Sequence, residues 1–185
     1  MQHYNKEYNK YIEITGYKNI TFKTAETFLK TQREQTTHQT DIQIFDAQLI
    51  ASSEHLHFAT LNALQAFKNK TNISKNIAIE TLLYAATKKQ IQKAIDHIGI
   101  KPQTKTIAVV IISKTPKQIE TLLKTLSEYL GTNPDETVLE ITKEKETKIH
   151  HAFQITPTEL KTIINNKTKT IDLVIERIAL LATQL

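Results

Sequence analysis

Ile107, Val109, Val110, Ile111 and Ile112 make a nearly continuous apolar run within residues Lys105–Ile112. A strand without polar alternation suits a position covered on both faces. This run constrains the fold more than any other segment, because packing layers must lie above and below it. A chain of 185 residues can supply them, and 39% hydrophobic with 23% charged residues describes a globular chain rather than a disordered one. No internal repeat and no proline- or glycine-rich linker interrupts it. One domain over residues 1–185 is expected, with a β/α arm over about residues 1–40 and a helical and sheet core over about 41–185.

The remaining elements follow from periodicity and capping. Residues 11–14 alternate, a Gly16-Tyr17-Lys18-Asn19 turn follows, and Ile20–Phe22 is expected to pair back. Thr24 to about Glu34 reads as a helix, 35–41 as a polar loop, and Ile42–Phe45 as a strand that Gln48–Ala51 extends. Three helices come next, capped by Ser53, Ser74 and Thr87, the last ending at Gly99. Their short connections predict antiparallel neighbours. Thr115-Pro116-Lys117-Gln118 opens a helix that stops at Gly131, and Thr137–Ile141 is a further strand. Thr142 caps a helix through His151, Thr156-Pro157-Thr158-Glu159 forms a second capping box, and a last helix runs from about Thr170 to the terminus. The class is α+β: a helix-rich domain with a small, mostly antiparallel sheet packed against helices.

Composition excludes several functions. The absence of cysteine removes disulfides, thiolate nucleophiles and cysteine–zinc sites. No apolar run of about 18 residues is present to cross a membrane, and the start lacks the apolar core of a signal peptide. A cytoplasmic location is the simplest reading. Net charge is +5, and residues 68–105 hold eight lysines against Glu80 and Asp96. A basic surface of that kind suits a polyanionic partner, although a solvated lysine face gives the same pattern.

No chemistry stands out. There is no phosphate-cradling glycine loop and no nucleophile elbow. Of the histidines at 3, 38, 55, 57, 97, 150 and 151, none has the i, i+4 spacing that lets two imidazoles share a metal ion. The pairs Asp135-Glu136 and Glu144/Glu146 fit turns and helix starts. Neither a catalytic residue nor a cofactor or metal is expected.

A family likeness runs along nearly the whole chain. Ile14-Thr15-Gly16-Tyr17-Lys18-Asn19 is followed by Asp46-Ala47-Gln48-Leu49-Ile50 and His55-Leu56. Asn72-Ile73-Ser74-Lys75 leads into Ile79-Glu80-Thr81-Leu82-Leu83-Tyr84-Ala85, then Gln90-Ile91, Lys93-Ala94-Ile95 and Gly99-Ile100-Lys101. Val138-Leu139-Glu140-Ile141 and Val174-Ile175-Glu176-Arg177-Ile178-Ala179 complete the series. In order and spacing these segments resemble the small kinase-binding subunit of the KEOPS complex, in its archaeal branch, related to the p53-related-kinase-binding protein of eukaryotes. The resemblance implies a non-catalytic subunit of a complex that makes threonylcarbamoyladenosine next to the tRNA anticodon. It implies direct contact with a small atypical kinase, indirect contact with the catalytic subunit, and tRNA recruitment through the single-stranded CCA end. The alternative is a protein-interaction subunit that only modulates the kinase. Where the family commonly has Ser-Gly, one further residue and Arg before Gln-Ile, this chain has Ala86-Thr87-Lys88-Lys89. Lysine keeps the charge but loses the planar fork and stacking face of arginine.

The resemblance directs attention to particular residues. Lys88, Lys89 and Gln90, read as a helix's first turn, offer free N–H groups, a positive dipole end and two ammonium groups to a phosphate. His55, expected beside them, would stack on a base or donate to phosphate. Lys93 and Lys101 flank the seat, and Lys75 and Asn76 belong to the other end of the middle helix. Tyr84 reads either as a stacking residue or as structural. At about 100° per residue, Ile171, Val174, Ile175, Ile178, Leu181 and Leu185 share one face of the last helix. Leu173 and Leu180 form a second apolar face beside Glu176 and Arg177, which is expected to meet the kinase.

Overall fold

A computed structural model of the chain describes residues 2–34, 40–163 and 168–183. Strand β1 (Gln2–Asn5) and strand β2 (Lys10–Lys18) precede helix α1 (Phe22–Glu34) and strand β3 (Thr40–Asp46). Helices α2 (Ser53–Asn69), α3 (Ile77–Ala86) and α4 (Ile91–Ile98) lead to strand β4 (Thr106–Ser113). Helices α5 (Pro116–Leu130), α6 (Lys143–Phe153), α7 (Pro157–Thr162) and α8 (Lys169–Ala182) follow. The strands form one antiparallel sheet in the order β1-β2-β4-β3.

Strand β4 lies inside the sheet, and its alternate side chains enter two different cores. Ile107, Val109 and Ile111 pack with Phe28 and Leu29 of α1 and Ile119, Leu122 and Leu126 of α5. Ala108, Val110 and Ile112 pack on the other side with residues of α2, α3, α6 and α8. Two-sided burial of the apolar run is therefore the organising feature, as its composition requires. The helix-rich α+β class is the observed one.

Local details depart from the sequence reading. No turn forms at Gly16: β2 passes through it to Lys18, Asn19 turns in the left-handed region (φ 58°), and Phe22 already begins α1. The partner of β2 at the sheet edge is β1, whose polar residues gave no signal. Residues 47–49 are a 3₁₀ turn rather than strand, because the Asp46 carboxylate accepts from Gln48 N at 3.0 Å and turns the chain. Thr137–Ile141 is not a strand either, since Glu136–Leu139 is a 3₁₀ turn laid against β2. Asp135 N donates to Gly16 O at 2.7 Å there, and the buried Lys145 ammonium donates to Val138 O (2.8 Å) and Glu140 O (3.2 Å). Carbonyls held by an ammonium are not offered to a sheet ladder.

Helix caps also shift by a few residues. Ser52 rather than Ser53 caps α2, and Asn76 rather than Ser74 caps α3. Thr115, Thr142 and Thr156 cap as expected, and Thr156 with Glu159 makes both halves of the capping box. Gly131 ends α5 with φ 67°. Most of the predicted loop at 35–41, and Leu185, lie outside the described residues.

Gly16 is where β2 and the 3₁₀ turn at Glu136–Leu139 come closely together. A Cβ there would overlap Val138 Cγ2 and stand 2.9 Å from the Asp135 carbonyl oxygen. Gly16→Ala is expected to lower stability by about 1–3 kcal/mol, as overpacking does, measured by urea unfolding. A variant as stable as the parent would show that the 3₁₀ turn can move away from β2.

Candidate functional site

Helices α2, α3 and α4 pack in sequence as neighbours, and α3 sets where the candidate residues stand. Asn76 lies at its start and Thr87 at its end, so Lys75 and Asn76 are separated from Lys88–Gln90 by the helix length. The Asn76 side chain accepts from Ile79 N at 3.0 Å, which is a capping role. The turn before it folds around buried Glu80, whose carboxylate accepts from Ile73 N (3.2 Å) and Ser74 N (2.7 Å). Lys75 is exposed.

The start of α2 does reach the end of α3, but His55 does not face solvent there. It is 0% exposed. Ala51 N donates to its Nδ1 at 3.1 Å, which fixes Nδ1 as the acceptor and leaves Nε2–H to donate to Ala85 O at 3.0 Å. The ring also meets Phe153 edge-on. Burial, the largest cause, draws its pKa down to about 4. The expectation that His55 stacks on a base or binds phosphate is thus corrected: Nδ1 holds the segment before α2, and Nε2 ties α2 to α3. Tyr84, 3% exposed, is likewise a core residue.

The turn from Thr87 to Gln90 lies between α3 and α4 rather than in a helical first turn. Thr87 closes α3 in the left-handed conformation (φ 53°, ψ 40°), with Thr87 N donating to Tyr84 O and Lys88 N to Leu83 O, both at 3.0 Å. Glycine is the usual residue at such a position, and a β-branched residue there is strained. Lys88 is half-buried, while Lys89, Gln90 and Lys93 are exposed. Gln90 takes the N-cap position of α4 with no side-chain hydrogen bond to the helix. The start of α4 therefore carries uncapped N–H groups beside three lysines. Ile91, 41% exposed, adds an apolar surface that the sequence reading passed over. Lys101 lies half-buried beyond the far end of α4. Among the described residues, no ion pair engages Lys88, Lys93 or Lys101.

The proposed partner face divides. Leu173 is 2% exposed and belongs to the core, whereas Leu180 is 51% exposed. Asp172, Glu176 and Leu180, spaced four apart, form the outward stripe of α8. Arg177 is tied inward. It donates to Phe153 O (2.8 Å), Gln154 O (3.2 Å), Leu173 O (3.2 Å) and the Glu159 carboxylate (2.8 Å), so its fork fastens α8 to the end of α6 and the start of α7. A single second apolar face on α8 is therefore replaced by one exposed leucine. Leu180 and Leu181 line a cleft of about 240 Å³ with Thr87, Lys88, Phe153 and Gln154, so the two candidate surfaces meet.

Two comparisons bear on this arrangement. The family model described as "Kinase binding protein CGI-121" matches residues 17–182. The chain belongs to the CGI-121 family. It is also similar to the protein named "Regulatory protein Cgi121" of Methanocaldococcus jannaschii, 32% identical over 113 residues, which span 61% of this chain and 70% of that relative. The CGI-121 match covers α1 to α8 and starts late in β2, so it takes in both layers around β4. No helix among the described residues is long and apolar enough to cross a membrane.

Neutral burial of His55 has a pH consequence. Its folded pKa lies near 4 against 6.5 when unfolded. The unfolded chain takes up the proton first, so this stabilisation is complete above pH 6.5 and is lost as pH falls towards 4. The shift corresponds to roughly 3 kcal/mol. Urea unfolding across that range should show the loss, and an NMR titration should place the His55 midpoint well below that of a free imidazole. A midpoint in the ordinary range would mean that the ring is solvated.

Proposed function

We propose that this chain is a non-catalytic subunit of a KEOPS-type complex that makes the threonylcarbamoyladenosine modification of tRNA. It binds the small atypical kinase directly, meets the catalytic subunit through that kinase, and recruits tRNA by its single-stranded CCA end. Membership of a kinase-binding family and the regulatory name of the archaeal relative support the kinase contact.

The RNA part rests on one observation: the start of α4 has no side-chain cap and stands among Lys88, Lys89 and Lys93. Unbonded N–H groups and the positive end of a helix dipole favour an anion, and ammonium groups add to the attraction. With 8 residues, α4 is about 12 Å long, so a strand can follow it from Gln90 towards Lys101. Exposed Ile91 gives a base an apolar surface. Thr87, Lys88 and Leu180 border the cleft at which, in this reading, RNA end and kinase come closest. The purely kinase-modulating reading has its own support in Lys89, because lysine at the family's arginine position cannot stack or bind bidentately. Lys88 also sits beyond the C-terminal end of α3, where a cation complements the dipole without any ligand.

Intact tRNA is expected to bind more tightly than the same tRNA trimmed of its CCA end. Lys88→Ala with Lys89→Ala should reduce the slope of log affinity against log salt by about 0.7 for each lost phosphate contact. Equal affinity for both tRNAs would remove recruitment and leave the kinase-modulating reading.

Leu180→Glu should weaken binding to the cognate kinase by at least about tenfold, or 1.4 kcal/mol, with unchanged thermal unfolding. Leu173→Glu, by contrast, should unfold the chain. Undiminished kinase affinity for Leu180→Glu would place docking on another surface.

A further inference from the structure

At the start of α3, a helix length away from Lys88–Gln90, a cleft of about 750 Å³ opens between the β1–β2 turn, α2 and β3. That is the size of a small-molecule site. Leu64 and Phe67 of α2, Ile77 of α3 and Tyr8 of the turn give it apolar walls. The turn is fastened to α2. The Tyr8 hydroxyl donates to Gln65 Oε1. The Lys68 ammonium pairs with Glu7 at 2.8 Å and lies over the Tyr8 ring, 5.7 Å from its centroid. These ties shape the cleft before anything enters it. The CGI-121 match begins at residue 17, so the wall formed by Glu7, Tyr8 and Lys10 lies ahead of the part that the family model covers.

The polar groups of the cleft define what it can hold. Glu7 and Lys68 satisfy each other. Half-buried Lys10 and exposed Lys75 make no ion pair or side-chain hydrogen bond among the described residues. Two such ammonium groups favour an anion. The Asn76 side-chain oxygen accepts from Ile79 N at 3.0 Å, which leaves its amide N–H groups for a ligand. Asp41 brings carboxylate oxygens from β3. A hydrocarbon tail gains nothing from that donor or from a carboxylate. A heterocyclic base, by contrast, has apolar faces for Phe67 and Ile77 and an edge of both donors and acceptors. A phosphate attached to it provides the anion.

We propose that this cleft binds a free nucleoside monophosphate, with its base against Phe67 and Ile77, its edge towards Asp41 and Asn76, and its phosphate held by Lys10 and Lys75. The site is separate from the start of α4 and does not rest on the RNA reading.

The test uses the full chain with AMP, and with adenosine and decanoate as comparison probes, by calorimetry and by NMR of the backbone amides. AMP should bind saturably and shift the amides of Tyr8, Phe67 and Ile77. Adenosine, which lacks the phosphate, should bind at least about tenfold more weakly. Lys10→Ala with Lys75→Ala should bring AMP down to the affinity of adenosine while thermal unfolding stays unchanged. Lys75→Ala alone, at an exposed position, should give part of that loss. No saturable AMP binding overturns the proposal, and so do equal affinities for AMP and adenosine. Shifts confined to the start of α4 place the nucleotide elsewhere and overturn it too. Decanoate binding without AMP binding assigns the cleft to aliphatic carboxylates instead. An RNA oligonucleotide ending in CCA that displaces AMP from these residues assigns the cleft to the end of a strand and overturns the free nucleotide as its occupant.

Discussion

Burial of β4 on both faces is the constraint from which the other layers take their place. Its side chains cannot be solvated on either side, so α1 and α5 close one face while α2, α3, α6 and α8 close the other. Neighbouring features are consequences of that division. Gly16 lets the 3₁₀ turn at Glu136–Leu139 lie directly on β2, and Lys145 holds that turn from beneath by two carbonyls. The sheet can remain small because helices, rather than a second sheet, complete both cores.

The same packing separates residues that look functional from residues that face outward. His55 and Arg177 occur in segments carrying the family likeness, and Leu173 directly precedes one of them. Each joins parts of the fold: His55 links α2 to α3, Leu173 seats α8, and Arg177 fastens α8 to α6 and α7. What faces outward near them is a smaller set, Lys88, Lys89, Gln90, Lys93 and Leu180. Glu159, held at about pKa 2 by Thr156 and then Arg177, belongs with the joining residues.

The sequence made some of this legible and hid the rest for identifiable reasons. Periodicity and capping residues revealed β4, α5, α6 and the succession of helices α2 to α4, because those signals are local. Strand β1 went unseen because Gln2–Asn5 is short and mostly polar at a sheet edge. Val138-Leu139-Glu140-Ile141 looked like a strand because its apolar residues are needed against the core, yet its carbonyls are claimed by a lysine several residues on. Spacing on α8 put Leu173 and Leu180 on one second apolar face but could not tell that the neighbouring helices would cover Leu173. The burial of His55 is a tertiary fact with no local signature.

Thr87 carries one more implication. A glycine at the end of α3 would rest in its left-handed conformation at little cost, so any rearrangement of the turn would have to be driven from outside. Threonine there stores strain of order 1 kcal/mol or more. That energy is returned if the turn changes shape, so the α3–α4 junction behaves as a partly wound spring. A partner that prefers a remodelled turn starts with an advantage on this chain that glycine at position 87 would not offer.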